Sequence, residues 1–519
     1  MIKNFKWLLL VSLTFIACTD ENEAVVETNS SDGLPLTAGT ANFSKYVSLG
    51  DSYSAGYSDG ALFIKGQEGG FTNILSQQFA LVGGGEFKIP YMNDNVGGLL
   101  LGGFPIAGPR LYYTGSSTNP IVPVSGTPTT EVLNVLTGPF NNMGVPGAKS
   151  FHLLSNSYGN PAGIGTYANP YFVRFASSTS ARILTDATDQ HPTFFSLWIG
   201  NNDVLSYATS GGTGLNQVGN FDPTTYGGND ITDPNVFASV YSTLLDGLTA
   251  EGAGGVVATI PYVTAAPFFT AVPTNPIPGL PAANAGQLNQ LFGAINQITT
   301  VLSQPSRFAT LVADDGNPAT TEKNPLLIID ETLPNLAPYI TGALTPVLGA
   351  PTAGYLGNLY GRARHARNTV GDRDFILLTS KGIIGTTQAG APSPFNVIGV
   401  SNPMQDGKVI TADEALQIKT ATDAYNVTIH GLATAKGIAF VDVNAVLAQL
   451  SNGGISNSGY TVNSDLVTGG GFSLDGIHAC PRGYALLTNE FLKAINAVYG
   501  SNFKGVKFSD YSILYKSSL

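Results

Sequence analysis

The sequence predicts an α/β fold with a parallel sheet covered by helices, and three observations carry the prediction. Near-continuous apolar runs of strand length occur at 46–49, 194–199, 255–260 and 438–443. Strands of a parallel sheet, buried on both faces, read this way. Segments with apolar residues at helical spacing lie between them, at 235–248, 287–302 and 411–435. Alternation of the two element types is the pattern of a sheet with helices on both faces. The first two runs end directly in polar motifs, Gly50-Asp51-Ser52 and Gly200-Asn201-Asn202-Asp203, at the strand edge where such sheets bind ligands.

Composition sets the frame for these elements. The chain has 519 residues, of which 43% are hydrophobic and only 11% charged. A globular average is about 25% charged. Gly (62) and Pro (31) are abundant, which points to long ordered loops. The length allows one large domain with insertions. A net charge of −11 excludes nucleic acid as a partner, because its phosphates would be repelled.

The N-terminus reads as a targeting segment. Lys3 and Lys6 precede an apolar run at 7–17 that ends in Phe15-Ile16-Ala17-Cys18. The run is short for a membrane span. It resembles a bacterial lipoprotein signal peptide over 1–17, with Cys18 as the acylated first residue of the mature chain. Phe15 departs from the Leu-rich pattern, and an ordinary secretory signal is the alternative. Asp20, Glu21 and Glu23 follow at once, resembling the surface-export signal of lipoproteins in the Bacteroidetes. The expected location is extracytoplasmic and lipid-anchored to the outer membrane, with the cell surface and the periplasmic side as the two alternatives. With Cys18 acylated, Cys480 has no disulfide partner. Residues 18–42 are polar and read as a flexible tether.

The main domain is expected at 43–500, with a loop-rich insertion of short strands at about 57–140 and a second insertion at about 270–405. Thr411 and Glu414 form a capping box that opens a long helix. A further helix is expected at 483–498. The tail, 501–519, alternates weakly over 503–515 and is read as an edge strand.

Four motifs carry chemistry. A serine hydroxyl needs an adjacent base and a tight turn that presents it, and Ser52 follows a strand between Gly50 and Gly56. Ser54 is a neighbouring alternative. His478 lies in Asp475-Gly476-Ile477-His478, where Asp475 can fix the tautomer of the ring. An oxyanion needs donors aimed at it. Gly147, in Gly144-Val145-Pro146-Gly147, offers an unobstructed backbone N–H, and Asn202 a side-chain amide. Each motif alone also reads as an ordinary turn or cap, and it is the joint set that points to acyl transfer.

Ser52, Gly147, Asn202 and His478, in this order and contexts, resemble the SGNH/GDSL hydrolase family. Tyr53 stands where the name-giving Leu is common, and Ala479 where a Pro commonly follows the His. The resemblance implies a flavodoxin-like three-layer α/β/α sandwich with five parallel strands. It implies Ser52 as nucleophile, His478 as general acid/base and Asp475 as its orienting carboxylate. The oxyanion hole would be the Ser52 and Gly147 backbone N–H groups with the Asn202 side chain. The intervals from Ser52 to Gly147 and from Asn202 to Asp475 are long for the family, so the two insertions are expected to build a substrate pocket or a lid.

The expected activity is hydrolysis of carboxylic esters, with a lipid ester or an acylated glycan as substrate. A carbohydrate deacetylase is the enzymatic alternative, and a non-catalytic surface-binding lipoprotein the other. Apolar segments at 99–101, 260–262 and 267–269 suit an acyl chain or simply loop packing. Arg362, Arg364, His365 and Arg367 read as a solvated basic face. The chemistry needs no cofactor and no metal, and the oxygen-rich stretches at 314–317 and 222–233 lack EF-hand spacing.

Overall fold

In the computed structural model, which describes residues 30–116, 120–317 and 319–519, the four apolar runs become strands of one parallel sheet. Its five strands are β1 (Tyr46–Gly50), β2 (Asn142–Gly144), β3 (Phe194–Trp198), β4 (Gly254–Ala258) and β5 (Ala439–Val441). They lie in the order β2-β1-β3-β4-β5, with every pairing parallel. Gly50 stands opposite both Gly144 and Trp198, so the C-terminal ends of three strands are level.

The main helices are α1 (Phe71–Ala80), α2 (Asn202–Thr209), α3 (Pro234–Thr249), α4 (Ala282–Val301), α5 (Ala337–Leu348), α6 (Ala350–Tyr360), α7 (Ala412–Lys436), α8 (Val443–Ser451) and α9 (Pro481–Tyr499). The strand period of two sends alternate side chains to opposite faces. Val47, Leu49, Phe195, Leu197 and Val257 pack with Phe237 and Tyr241 of α3 and Tyr425 and Ile429 of α7. Tyr46, Phe194, Trp198, Val256 and Ala258 pack with Phe71 and Phe79 of α1 and Tyr484 and Phe491 of α9. Each such fully buried side chain stabilises the fold by roughly 1.5–3 kcal/mol, so both faces of the sheet are firmly covered.

Local signals explain the helix ends. Asp233 accepts from the N–H groups of Asn235 and Val236 at 2.8 and 3.1 Å, with Pro234 at the first position of α3. Thr411 and Glu414 make the reciprocal capping box that opens α7, and Gly437 closes it at φ 64°. The fifth strand, β2, carries no apolar signature. Its first residue, Asn142, is buried and donates to Ser54 O at 2.9 Å and to Thr72 Oγ1 at 3.1 Å.

Both insertions are more structured than the sequence predicts. The 57–140 segment holds two hairpins and α1, and α1 covers one face of the sheet. The 270–405 segment holds α4, α5 and α6 around a core of its own, with Leu288, Phe292, Ile340, Leu356 and Tyr360. It is a helical subdomain and not an enlarged loop.

The ends of the described chain also correct expectation. Residues 1–17, Cys18 and 19–29 lie outside the described residues. Over 30–42 the expected tether is pinned. Ser31 N–H donates to Asn502 O at 2.7 Å, Thr37 N–H to Asn502 Oδ1 at 2.8 Å and Thr40 N–H to Tyr499 O at 2.8 Å. The tail forms no edge strand; Phe503 and Phe508 of the alternating stretch are buried in the core instead. Arg110 Nη2 holds its end by donating to Lys516 O and Ser517 O at 2.6 and 3.1 Å. No described helix is long and apolar enough to cross a membrane.

Candidate active site

Ser52 is placed by the end of β1. Asp51 caps the short helix Ser52–Ala55 by accepting from Tyr53 N–H at 3.0 Å, and Gly56 closes the turn at φ 81°. Glycine is required at position 50. A Cβ there would fall 2.2 Å from Ser54 Oγ and 2.3 Å from Trp198 O. Ser54 is fully buried and its hydroxyl is directed at Leu49 O, 3.5 Å away, which removes it as a nucleophile. Ser52 Oγ lies 2.8 Å from His478 Nε2.

His478 and Asp475 come from a loop before α9. His478 Nδ1 lies 2.8 Å from Asp475 Oδ2. Asp475 Oδ1 accepts from the Ile477 and His478 N–H groups at 2.8 and 2.9 Å and from Ser473 Oγ at 3.0 Å. Its Oδ2 also accepts the Gly60 N–H at 2.9 Å. Burial alone would raise the Asp475 carboxyl, but the His478 charge and these donors hold it far below the usual carboxylate range. The imidazole is fixed from the side as well. The Tyr57 ring lies 4.6 Å from it, and Tyr53 Oη donates to Ile477 O at 2.6 Å. Gly476, at φ 73°, accepts at its carbonyl from Phe268 N–H at 2.9 Å; a Cβ on it would fall 2.8 Å from that nitrogen.

The donor residues sit on the adjacent strand ends. Val145 N–H donates to Gly50 O at 3.0 Å as β2 leaves the sheet beside β1. Gly147 follows, exposed and at φ 81°, with only Asn169 Nδ2, 3.8 Å away, near where a Cβ would be. Asn202 opens α2 just beyond β3, and its Nδ2 donates to Ala148 O at 2.9 Å. Asp203 accepts from Ser150 N–H and Oγ at 2.8 and 2.7 Å. The segments after β2 and β3 are thus bonded to each other beside the end of β1.

Four contributors escaped the sequence reading. Asn201 Nδ2 donates to Asp51 Oδ2 at 2.9 Å, and burial, partly offset by that bond, pushes the Asp51 carboxyl up to about 6. Ser473 and Gly60 serve Asp475 as described. Asp59 accepts from Leu474 N–H at 2.9 Å and donates its own N–H to Ser473 Oγ at 3.0 Å. Asp59-Gly60 is an Asp-Gly dipeptide, a turn signal in sequence, and both residues do have positive φ (52° and 77°), but nothing near it in sequence names its partner.

A narrow apolar cavity of about 60 Å³ lies beside the loop before α9, with Tyr53, Pro261, Phe472, Ile477 and Leu447 in its wall. Neither Ser52 nor His478 lines it. The basic cluster is a solvated face only in part: Arg362 is exposed and Arg367 half-buried, but the other two residues are inside. Arg364 is buried and its Nε and Nη1 lie 2.6 Å from Asp330 Oδ2 and Asp374 Oδ2, while the buried His365 accepts from Ala309 N–H at 2.9 Å.

No protein-family model, curated protein or solved structure matches this chain.

Proposed function

We propose that the protein is a serine hydrolase of carboxylic esters, of the SGNH/GDSL type, acting through an acyl-enzyme on Ser52. The observation that carries this reading is the continuous relay from Ser52 Oγ to His478 Nε2 and from His478 Nδ1 to Asp475 Oδ2, each link 2.8 Å. The strand order β2-β1-β3-β4-β5 supports the flavodoxin-like sandwich, in which ligands bind outside the C-terminal strand ends. All the residues assigned to the chemistry stand at those ends or on the loop before α9.

In the reaction, Ser52 Oγ attacks the ester carbonyl while His478 Nε2 takes its proton. Asp475, held ionised, stabilises the imidazolium and keeps Nδ1 protonated. The tetrahedral oxyanion is met by the Ser52 and Gly147 N–H groups and the Asn202 amide. Collapse breaks the ester C–O bond, and His478 returns the proton to the departing alcohol. Water, deprotonated by His478, then releases the acid and restores Ser52.

The substrate is a lipid ester or an acylated glycan, taken up outside the cytoplasm by a chain anchored through Cys18. Hydrolysis of p-nitrophenyl acetate, butyrate, octanoate and palmitate, with Ser52→Ala beside the native chain, tests the reading. Turnover lost in the variant supports the nucleophile. Preference for the longer chains then selects the lipid ester, and activity on acetate alone selects the glycan deacetylase. Absence of turnover together with absence of fluorophosphonate labelling would leave a binding lipoprotein.

A further inference from the structure

Glu331, Asp406 and Glu414 come from the 270–405 insertion, the segment that leaves it, and the first turn of α7. One carboxylate oxygen of each lies within 4.8 Å of those of the other two. Calcium takes oxygens at about 2.3–2.6 Å, so two ligands on one ion are at most about 5 Å apart. The three carboxylates are close enough to share one ion.

Glu414 gives the second, independent sign. It is only 1% exposed. Its Oε2 accepts from Thr411 N–H and Oγ1 at 2.7 and 2.8 Å, while its Oε1 is buried with no hydrogen-bond partner. A buried acceptor left unmade costs about 1–3 kcal/mol, and more when charged. The carboxylate packs against Gly212, at φ 77°, where a Cβ would fall 1.6 Å from Oε1, so only a glycine lets Glu414 take this position. Among the described residues none of the three carboxylates is in an ion pair. Arg364, which pairs with Asp330 beside Glu331, is committed to Asp330 and Asp374.

We propose that Glu331, Asp406 and Glu414 bind a hard divalent cation, calcium by its ligand chemistry, which ties the 270–405 insertion to the start of α7. All three ligands are carboxylate oxygens, the set that selects calcium or magnesium over softer metals. Glu331 is exposed, so water completes the shell. The acidic group at Asp314, Asp315 and Glu322 is a different case. It lies on the surface, and the Gly316 and Asn317 N–H groups already satisfy Asp314 and Asp315 at 2.8 Å.

The test is thermal unfolding of the chelator-treated full chain against calcium, magnesium and sodium chloride at matched ionic strength. Calcium is raised to about 10 mM, above the about 10⁻⁴–10⁻³ M typical of extracellular sites. Tm is expected to rise and saturate with calcium. Asp406→Asn should lose that rise while keeping a calcium-free Tm at or above that of the native chain, because a like charge has been removed. Glu331→Gln, on an exposed side chain, should lose it too, and Asp315→Asn should keep it. Bound terbium should emit on excitation of the protein's aromatic residues, and both cluster variants should lose that emission. A Tm indifferent to calcium overturns the proposal. A calcium response that survives both Asp406→Asn and Glu331→Gln overturns it as well, by placing the ion elsewhere.

Discussion

Gly60 and Asp475 are 415 residues apart in the chain, and the Gly60 backbone N–H donates to Asp475 Oδ2 at 2.9 Å. The same oxygen receives His478 Nδ1. The loop that follows Ser52 therefore shares an acceptor with the His478 imidazole. Asp59 extends the junction by bonding Leu474 N–H and Ser473 Oγ, and Ser58 Oγ donates to Ala479 O at 3.0 Å. The orientation of Asp475 is set from both ends of the chain.

This predicts the behaviour of Asp475→Asn. An amide at 475 keeps the size but turns one acceptor into a donor, which faces either the Gly60 N–H and His478 Nδ1 or the Ile477 and His478 backbone N–H groups. It also favours the wrong imidazole tautomer. The expected result is a loss of about 10⁴ in kcat together with a lower Tm. Ser473→Ala removes one donor to Asp475 and one acceptor for Asp59, and should cost about 1–3 kcal/mol of stability. Steady-state kinetics and thermal unfolding read both. Retention of native kcat in Asp475→Asn would mean that His478 is oriented without its carboxylate.

Asn202 and Asn201 are adjacent and should separate cleanly. In the proposed mechanism Asn202→Ala removes an oxyanion donor, so kcat should fall by about 10²–10³ with KM nearly unchanged, because the interaction is made in the transition state. Asn201→Ala leaves the buried Asp51 Oδ2 without its donor and should lower Tm more than kcat. Equal kinetic losses in the two variants would remove Asn202 from the oxyanion hole.

How far the sequence discloses this molecule depends on the range of each interaction. β1, β3, β4 and β5 are legible because burial on both faces demands continuous apolar runs. β2 is not, since it is three residues long and opens on an asparagine whose buried amide is satisfied by Ser54 and Thr72. The capping box of Thr411 and Glu414 is legible because helix capping is local. Ser52 is legible through a short motif after a strand, and Asp475 and His478 through one that precedes a helix. The Gly60 brace, the Arg364 network and the meeting of residues 331, 406 and 414 depend on tertiary approach alone. The pinning of 30–42 was hidden for the same reason: its polar residues read as a tether until Asn502 and Tyr499 are beside them.

Asp59 should give stability a distinct pH dependence. Burial, partly offset by the Leu474 N–H bond, pushes its carboxyl up to about 7, against about 3.9 in an unfolded chain. Between those values the folded state holds the extra proton, so stability falls as pH rises from about 4 to about 7 and levels above. Asp51, pushed up to about 6, acts in the same direction over a narrower window. Asp475 acts oppositely: its contribution is present above about pH 4 and lost on acidification. In Asp59→Asn, where an amide oxygen can still accept from Leu474, the fall in Tm between pH 4 and 7 should be shallower than in the native chain. The limit set by one proton is about 1.4 kcal/mol per pH unit. Parallel Tm profiles for the two proteins would show that Asp59 does not titrate in this range.

Arg364 tests how the insertion is held. Its Nε lies 2.6 Å from Asp330, and its Nη1 and Nη2 lie 2.6 and 2.8 Å from the two oxygens of Asp374. Asp374 Oδ1 also accepts the Ala412 N–H at the first turn of α7, 3.0 Å away, so one guanidinium links the insertion to a core helix. Arg364→Met leaves two buried carboxylates unpaired, and removing one partner of a buried pair costs about 3–5 kcal/mol. Lysine restores the charge but cannot fork to two carboxylates at once, so Arg364→Lys should recover only a minor part of the loss. Because the insertion has its own core around Phe292 and Tyr360, the deficit should appear in denaturant as an early transition of that subdomain, ahead of the sheet. Full recovery in Arg364→Lys would mean that a single charge, and not the planar two-sided geometry, joins the insertion to α7.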